Sequence, residues 1–170
     1  MLTSYLARLA LTTSSSFIRP KAGALDEVRT PMHVWLSDID INGHINNGRY
    51  LTLMDFARLD HSIRTGLATA VIKKKWWPVL GAATVKFRRE LKPLEKFEIV
   101  TKVGTWDQKW MFIEHRFERA GNVHTIGFVK AVVRKGRETI PPSEVMALIG
   151  HHDAAPLPSD ELAQWIATQR

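Results

Sequence analysis

S-D-I-D-I-N-G-H-I-N-N-G-R-Y, residues 37–50, holds two aspartates, three asparagines and two glycines in fourteen positions. That density makes a loop, because these side chains bond their own backbone and glycine tolerates positive φ. The loop ends where an apolar stretch begins, and Asn46 or Asn47 is a good N-cap for the helix that follows. Tyr50, Leu51, Leu53, Met54, Phe56, Ala57, Leu59 and Ile63 spread around most of the helix circumference, which predicts a helix buried on most sides. Gly66 is the natural C′ residue.

Working outward, residues 26–37 alternate. Val28, Thr30, Met32, Val34 and Leu36 share one face and predict a strand. Pro31 places it at an edge or a bulge. Residues 67–77 end in K-K-K-W-W before Pro78 and read as a loop or short turn. The next sixty residues or so keep a period of two, with turn candidates L-K-P-L-E, G-T-W-D-Q and E-R-A-G-N between the runs. Four antiparallel strands are the economical reading. Pro141-Pro142 ends the last of them, and Ser143 is the expected cap of a short helix over S-E-V-M-A-L-I-G. H-H-D-A-A-P-L-P-S-D reads as a loop, and Asp160 to Gln169 as a final helix. The expected class is α+β: an antiparallel sheet of about five strands wrapped around one long buried helix. Such a sheet leaves exposed edges, which favour self-association.

The chain has 170 residues, 45% of them hydrophobic and 24% charged, which suits a single globular domain. No apolar run approaches the length of a membrane span. The absence of cysteine excludes a disulfide scaffold, a cysteine nucleophile and thiolate metal sites. The net charge is +7, a balance that favours anionic partners. Three cations, Arg8, Arg19 and Lys21, precede the first acid, Asp26. The remainder has 21 basic against 17 acidic residues and is only +4, a weak nucleic-acid signature.

Residues 1–25 have the composition of a transit peptide. The preferred reading is an amphipathic arm, with Leu2, Leu6, Leu9 and Ala10 on one face, packed on the domain or a partner subunit. The expected organisation is an N-terminal arm (1–25), one domain (26–150) and a C-terminal loop and short helix (151–170).

The 37–50 stretch resembles the signature of hot-dog-fold thioesterases, the 4-hydroxybenzoyl-CoA thioesterase superfamily and its acyl-CoA thioesterase branch. It is similar along its whole length to the D-x-D-x-N-x-H-V-N-N-x-x-Y stretch of plant acyl–acyl carrier protein thioesterases, with Gly43 and Ile45 in place of Gln and Val. The following Y-L-T-L-M-D-F-A-R-L-D-H also resembles the start of the helix in small thioesterase-like proteins. The resemblance implies a hot-dog fold over about residues 26–140 and hydrolysis of an acyl thioester, acyl-CoA above all. It assigns the catalytic acid to Asp40 and the two assisting polar residues to Asn42 and His44. It implies a coenzyme A or acyl carrier protein substrate, a homodimer or homotetramer, and no metal or redox cofactor, coenzyme A entering only as part of the substrate.

The chemistry of the residues fits. A carboxylate beside apolar segments is poorly hydrated and acts as a base or nucleophile. Thioester hydrolysis also needs donors where the oxyanion forms, and the helix-start amides of Asn47 and Gly48 provide free N–H groups and a partial positive charge. The acyl chain would lie along the apolar helix and strand faces. Lys73, Lys74 and Lys75, with Trp76 and Trp77, suit the phosphates and adenine of coenzyme A or an acidic carrier protein, and Arg88 and Arg89 suit the same end. Asp55 on the helix is a second candidate acid, its alternative an ion pair with Arg58. Asp38 reads as a solvated or turn-forming residue. The D-x-D-x-N alternation is not a calcium loop, because the acid required downstream is replaced by Arg49 or Leu51. Adjacent His151 and His152 point different ways in most backbones and do not make a metal site with Asp153. The alternatives are a non-catalytic hot-dog protein that binds acyl groups or lipids, and a dehydratase or hydratase on the same fold. The expected location is cytoplasmic, or mitochondrial if residues 1–25 are a transit peptide.

Overall fold

The computed structural model describes residues 2–169. Helix α1 (Leu2–Ile18) leads into strand β1 (Val28–His33), a 3₁₀ turn (Leu36–Asp38), helix α2 (Asn47–Arg64) and helix α3 (Leu67–Lys73). Strands β2 (Trp77–Phe87), β3 (Lys96–Trp106), β4 (Met111–Arg119), β5 (Asn122–Lys135) and β6 (Glu138–Ile140) follow, then helices α4 (Pro142–Ala147) and α5 (Asp160–Ala167). The strands form one antiparallel sheet in the order β1-β3-β4-β5-β2, with β6 alongside the end of β5. The sheet curls around α2, the α+β arrangement expected of a hot-dog fold.

The inner face is built on aromatic packing. Tyr50 of α2 meets Phe87 and Phe117, each with ring centroids 5.0 Å away, and Phe97 stacks on Phe117 at 5.9 Å. Gly127 of β5 lets α2 come close, since a Cβ there would stand 2.7 Å from the Met54 sulfur. The outer face is covered by α5, whose Leu162 is fully buried among Phe112, Phe128 and Ile126. Ser159 caps α5 by accepting from the Leu162 N–H, and Trp165 stacks on Phe128.

Several local expectations give way to tertiary packing. Residues 67–73 are helical rather than loop: Gly66, at φ +83°, both ends α2 and starts α3. Trp76 is 8% exposed in the core around Val145 and Met146, so it is not available to stack on a ligand. Strand β2 starts at Trp77 and contains Pro78, tolerated because β2 is an edge strand. Ser143 lies inside α4, and Pro141 holds the cap position instead.

Helix α1 inverts the expected face. Arg8, Thr12 and Ser16 point inward, while Leu6, Ala10, Leu11, Phe17 and Ile18 face out. Leu9 and Tyr5 keep an apolar grip on the domain, Tyr5 against Phe56 at 5.1 Å; the Leu2 side chain lies outside the described residues. Along one side, α2 is open rather than buried: Leu51 and Asp55 are exposed, and Arg58 and Ser62 are half-buried. No helix among the described residues is long and apolar enough to cross a membrane.

Candidate active site

Residues 39–45 form a small hairpin. Ile39 and Ile45 pair as an isolated antiparallel bridge. The Asp40 N–H donates to the His44 carbonyl (3.1 Å), and the Gly43 N–H donates to the Asp40 carbonyl (3.1 Å). Gly43 sits at φ +77°, the left-handed position such a three-residue loop requires. Asp40 and His44 are therefore cross-strand neighbours, and cross-strand neighbours project to the same face. Their side chains stand 4.0 Å apart and are 19% and 31% exposed.

The hydrogen bonds leave specific atoms free. Asp40 Oδ1 accepts from the Asn42 N–H (2.8 Å). No bond to Asp40 Oδ2 is formed among the described residues. His44 Nδ1 stands 3.2 Å from the Ile45 carbonyl. A carbonyl only accepts, so Nδ1 carries a proton in this arrangement. Asn42 stands exposed at the hairpin tip.

The hairpin leads directly into the start of α2. Asn46 is the N-cap, as expected, and its side chain accepts from the Gly48 N–H at 2.9 Å. That bond occupies Gly48, leaving the Asn47 N–H as a helix-start donor with no backbone acceptor among the described residues. The expectation that both amides are free is corrected accordingly.

Asp38 departs furthest from its expected solvated role. Its side chain is 1% exposed. Arg49 donates to Oδ1 through Nε (3.2 Å) and Nη2 (2.9 Å), while Arg8 Nη2 (2.6 Å) and the Trp35 N–H (3.0 Å) donate to Oδ2. Its backbone carbonyl accepts from the Asn46 N–H at 2.8 Å. A carboxylate so desolvated persists only when paired on all sides.

The remaining candidates fall in different places. Lys73, Lys74 and Lys75 are exposed past the far end of α2, a helix about 27 Å long at 1.5 Å per residue. The structure does not bring them to Asp40 within one chain. Arg88 and Arg89 follow β2, and Leu91 just beyond accepts from the Ile45 N–H (3.1 Å), so this segment borders the hairpin. Arg88 is paired with Glu161, and Arg89 is exposed. Among the described residues no cluster of potential metal ligands occurs, and His151 instead packs edge-on against Trp106.

A polar chain that period and motif did not reveal runs from exposed Asp55 on the open side of α2 inward to buried His115 and Thr101. Asp55 is paired with Arg58, and Arg58 Nη1 lies 3.3 Å from His115 Nε2. Arginine only donates, so His115 Nε2 accepts and Nδ1 donates to Thr101 Oγ1 at 3.0 Å. Burial raises the Asp55 pKa, opposed by Arg58. Burial and the Arg58 charge hold His115 neutral, its pKa well below the usual value. One sequence signal existed: two inward-facing polar residues on otherwise apolar strands.

The hairpin, the helix start and the wrapping sheet together define a hot-dog protein of the thioesterase class. The family model of the thioesterase-like superfamily matches residues 34–166, and the chain belongs to that superfamily. Protein THEM6 of Danio rerio is 33% identical, over 95% of this chain and 80% of that protein. Thioesterase poxG of Penicillium oxalicum is 26% identical, over 72% of this chain and 52% of its own length. Among solved structures, BH1999 gentisyl-coenzyme A thioesterase superposes with a TM-score of 0.63 at 25% identity, covering 73% of this chain and all of that one.

One titration follows from this region. His61 is 4% exposed, and burial pushes its pKa down to about 4, partly offset by Asp60. The unfolded chain takes up this proton near 6.5, so stability is lost as pH falls from about 6.5 toward 4, by on the order of 3 kcal/mol from His61. His115 acts with the same sign. Urea midpoints at pH 7 and pH 5 test this: the midpoint should drop in the wild type and drop less in His61→Leu. An equal drop in both would contradict it.

Proposed function

We propose that this chain hydrolyses an acyl thioester, with acyl-CoA as the substrate class and Asp40 as the group that activates water. The observation that carries this reading is the pairing of Asp40 and His44 across the mouth of the hairpin, at the N-terminus of α2. Asp40 Oδ2 takes a proton from water as the water oxygen attacks the thioester carbonyl carbon. The charge that develops on the carbonyl oxygen meets the Asn47 N–H and the positive end of α2. The tetrahedral intermediate collapses by breaking the carbon–sulfur bond, and the departing thiolate takes up the proton. His44 Nε2 assists as a second proton acceptor, and Asn42 orients the water or the substrate. Direct attack by Asp40, giving a mixed anhydride that water then cleaves, uses the same residues. Arg89, exposed beside the hairpin, is the same-chain cation best placed for the phosphates of coenzyme A. No metal or redox cofactor takes part.

The test is free-thiol release from a panel of acyl-CoAs by wild type and Asp40→Ala. The chain has no cysteine, so a thiol reagent meets no protein background. Wild-type turnover should fall by roughly 100-fold or more in the variant. Turnover that survives the substitution would move the chemistry to another group. Acyl-CoA binding without thiol release would favour the alternative, an acyl-binding protein without activity.

The working unit is a homodimer joined through β2. The opposite edge strand, β1, is covered: Arg8 and Arg64 donate to its His33 and Arg29 carbonyls. Strand β2 pairs with β5 alone and exposes Trp77, Val79, Leu80 and Phe87, an edge suited to a second copy. Light scattering should give twice the 19.3 kDa chain mass, and Leu80→Lys should shift it toward monomer. A wild type that stays monomeric at all concentrations would refute this interface.

A further inference from the structure

Helix α1 lies outside the motif and carries one feature its composition does not explain. Arg8 is the sole charge in the helix and is 4% exposed. Arginine is almost never so buried unless its charge is met. Its neighbours on the inward face are small and partly self-satisfied: the Ser15 and Ser16 hydroxyls both turn back to the Thr12 carbonyl. The guanidinium, by contrast, is held on every side. It donates to Asp38 Oδ2 at 2.6 Å and to the His33 carbonyl at 3.2 Å, touches the Met32 sulfur at 3.8 Å, and lies over the Trp35 ring at 4.1 Å.

What Arg8 grips is the base of the Asp40 hairpin. Asp38 precedes Asp40 by two residues. Its carboxylate is shared between Arg8 of α1 and Arg49 of the first turn of α2, and its carbonyl receives the Asn46 N–H that sets the start of that helix. One limb of the hairpin leaves from Asp38 and the other returns to Asn46. A shift of Asp38 moves Asp40, His44 and the Asn47 N–H together.

We propose that Arg8 is a positioning residue for the candidate active site. Acting through Asp38, α1 fixes the Asp40–His44 hairpin against the N-terminus of α2. The catalytic side of this statement rests on the thioesterase reading above; the mechanical side does not. Removing Arg8 leaves Asp38 held by Arg49 and the Trp35 N–H alone, free to rock toward α2. Misplacement of a reacting group by about 1 Å costs up to about 100-fold in rate. A loss of that kind falls on kcat, because the substrate is still bound.

The experiment uses the full chain as Arg8→Met, Asp38→Asn, the double variant and Arg8→Lys, with thermal melts to confirm folding. Amide hydrogen exchange across residues 39–46 is read beside acyl-CoA hydrolysis. The expected result for Arg8→Met is faster exchange at the Asp40, Gly43 and Ile45 amides, kcat lower by roughly 10- to 100-fold and KM changed little. Because Arg8 acts through Asp38, adding Arg8→Met to Asp38→Asn should cost nothing further. Arg8→Lys, which keeps the charge but not the paired donors, should recover part of both readouts, and it carries the test if Arg8→Met does not fold. Unchanged exchange and unchanged kcat in a folded Arg8→Met would overturn the proposal, as would losses that multiply in the double variant. If Asp40→Ala abolishes turnover while Arg8→Met changes neither readout, the thioesterase reading stands and this inference falls. If the wild type releases no thiol, exchange alone decides: faster hairpin exchange upholds the clasp, and unchanged exchange removes it.

Discussion

The Asp38 carboxylate is the joint on which the candidate site turns. It takes four hydrogen bonds, two from Arg49, one from Arg8 and one from the Trp35 N–H, and the backbone carbonyl of the same residue accepts a fifth from the Asn46 N–H. A buried ion set of this kind adds little net stability over an apolar one, but breaking it is costly. Its value is geometric. It locks the exit of β1, the start of α2 and helix α1 into one arrangement, and the hairpin between Asp40 and His44 inherits that arrangement.

From this joint the division of labour in the fold is clear. The sheet and the aromatic cluster of Tyr50, Phe87, Phe97 and Phe117 hold α2 in place. The helix start then presents a donor and a partial positive charge beside the Asp40 carboxyl and the His44 imidazole. Helix α5 covers the outer face of the sheet, and Arg8 of α1 and Arg64 of α2 reach carbonyls of the β1 edge. What stays open is the β2 edge, where the proposed homodimer would join, and the side of α2 bearing Leu51 and Asp55.

Much of this was legible because the relevant signals are local. The alternation in residues 77–135, the Asn46 cap and the stop at Pro141 follow from period, capping and proline chemistry, and they locate the central helix and the long strands. The hairpin residues were legible as a group from their polar density and from the resemblance that density carries. The fate of Asp38 was not, because its partners lie thirty residues upstream in Arg8 and eleven downstream in Arg49, and nothing in a D-x-D spacing says which aspartate will be buried. Helix α1 misled for a related reason. Its apolar residues suggested an inward face, whereas the need to meet Asp38 turns Arg8 inward and leaves Leu6 and Phe17 outside. Trp76 read as a ligand platform because a tryptophan after three lysines looks exposed, and α4 covers it.

In the proposed mechanism the thioester carbonyl sits between Asp40 and the start of α2. A crystal structure of the protein with a non-hydrolysable acyl-CoA analogue, its thioester sulfur replaced by a methylene group, tests this most directly. The carbonyl oxygen is expected within hydrogen-bond reach, about 3 Å, of the Asn47 N–H, with the carbonyl carbon facing Asp40 Oδ2. A carbonyl seated instead beside Asp55 on the open side of α2, or away from both carboxylates, would contradict it.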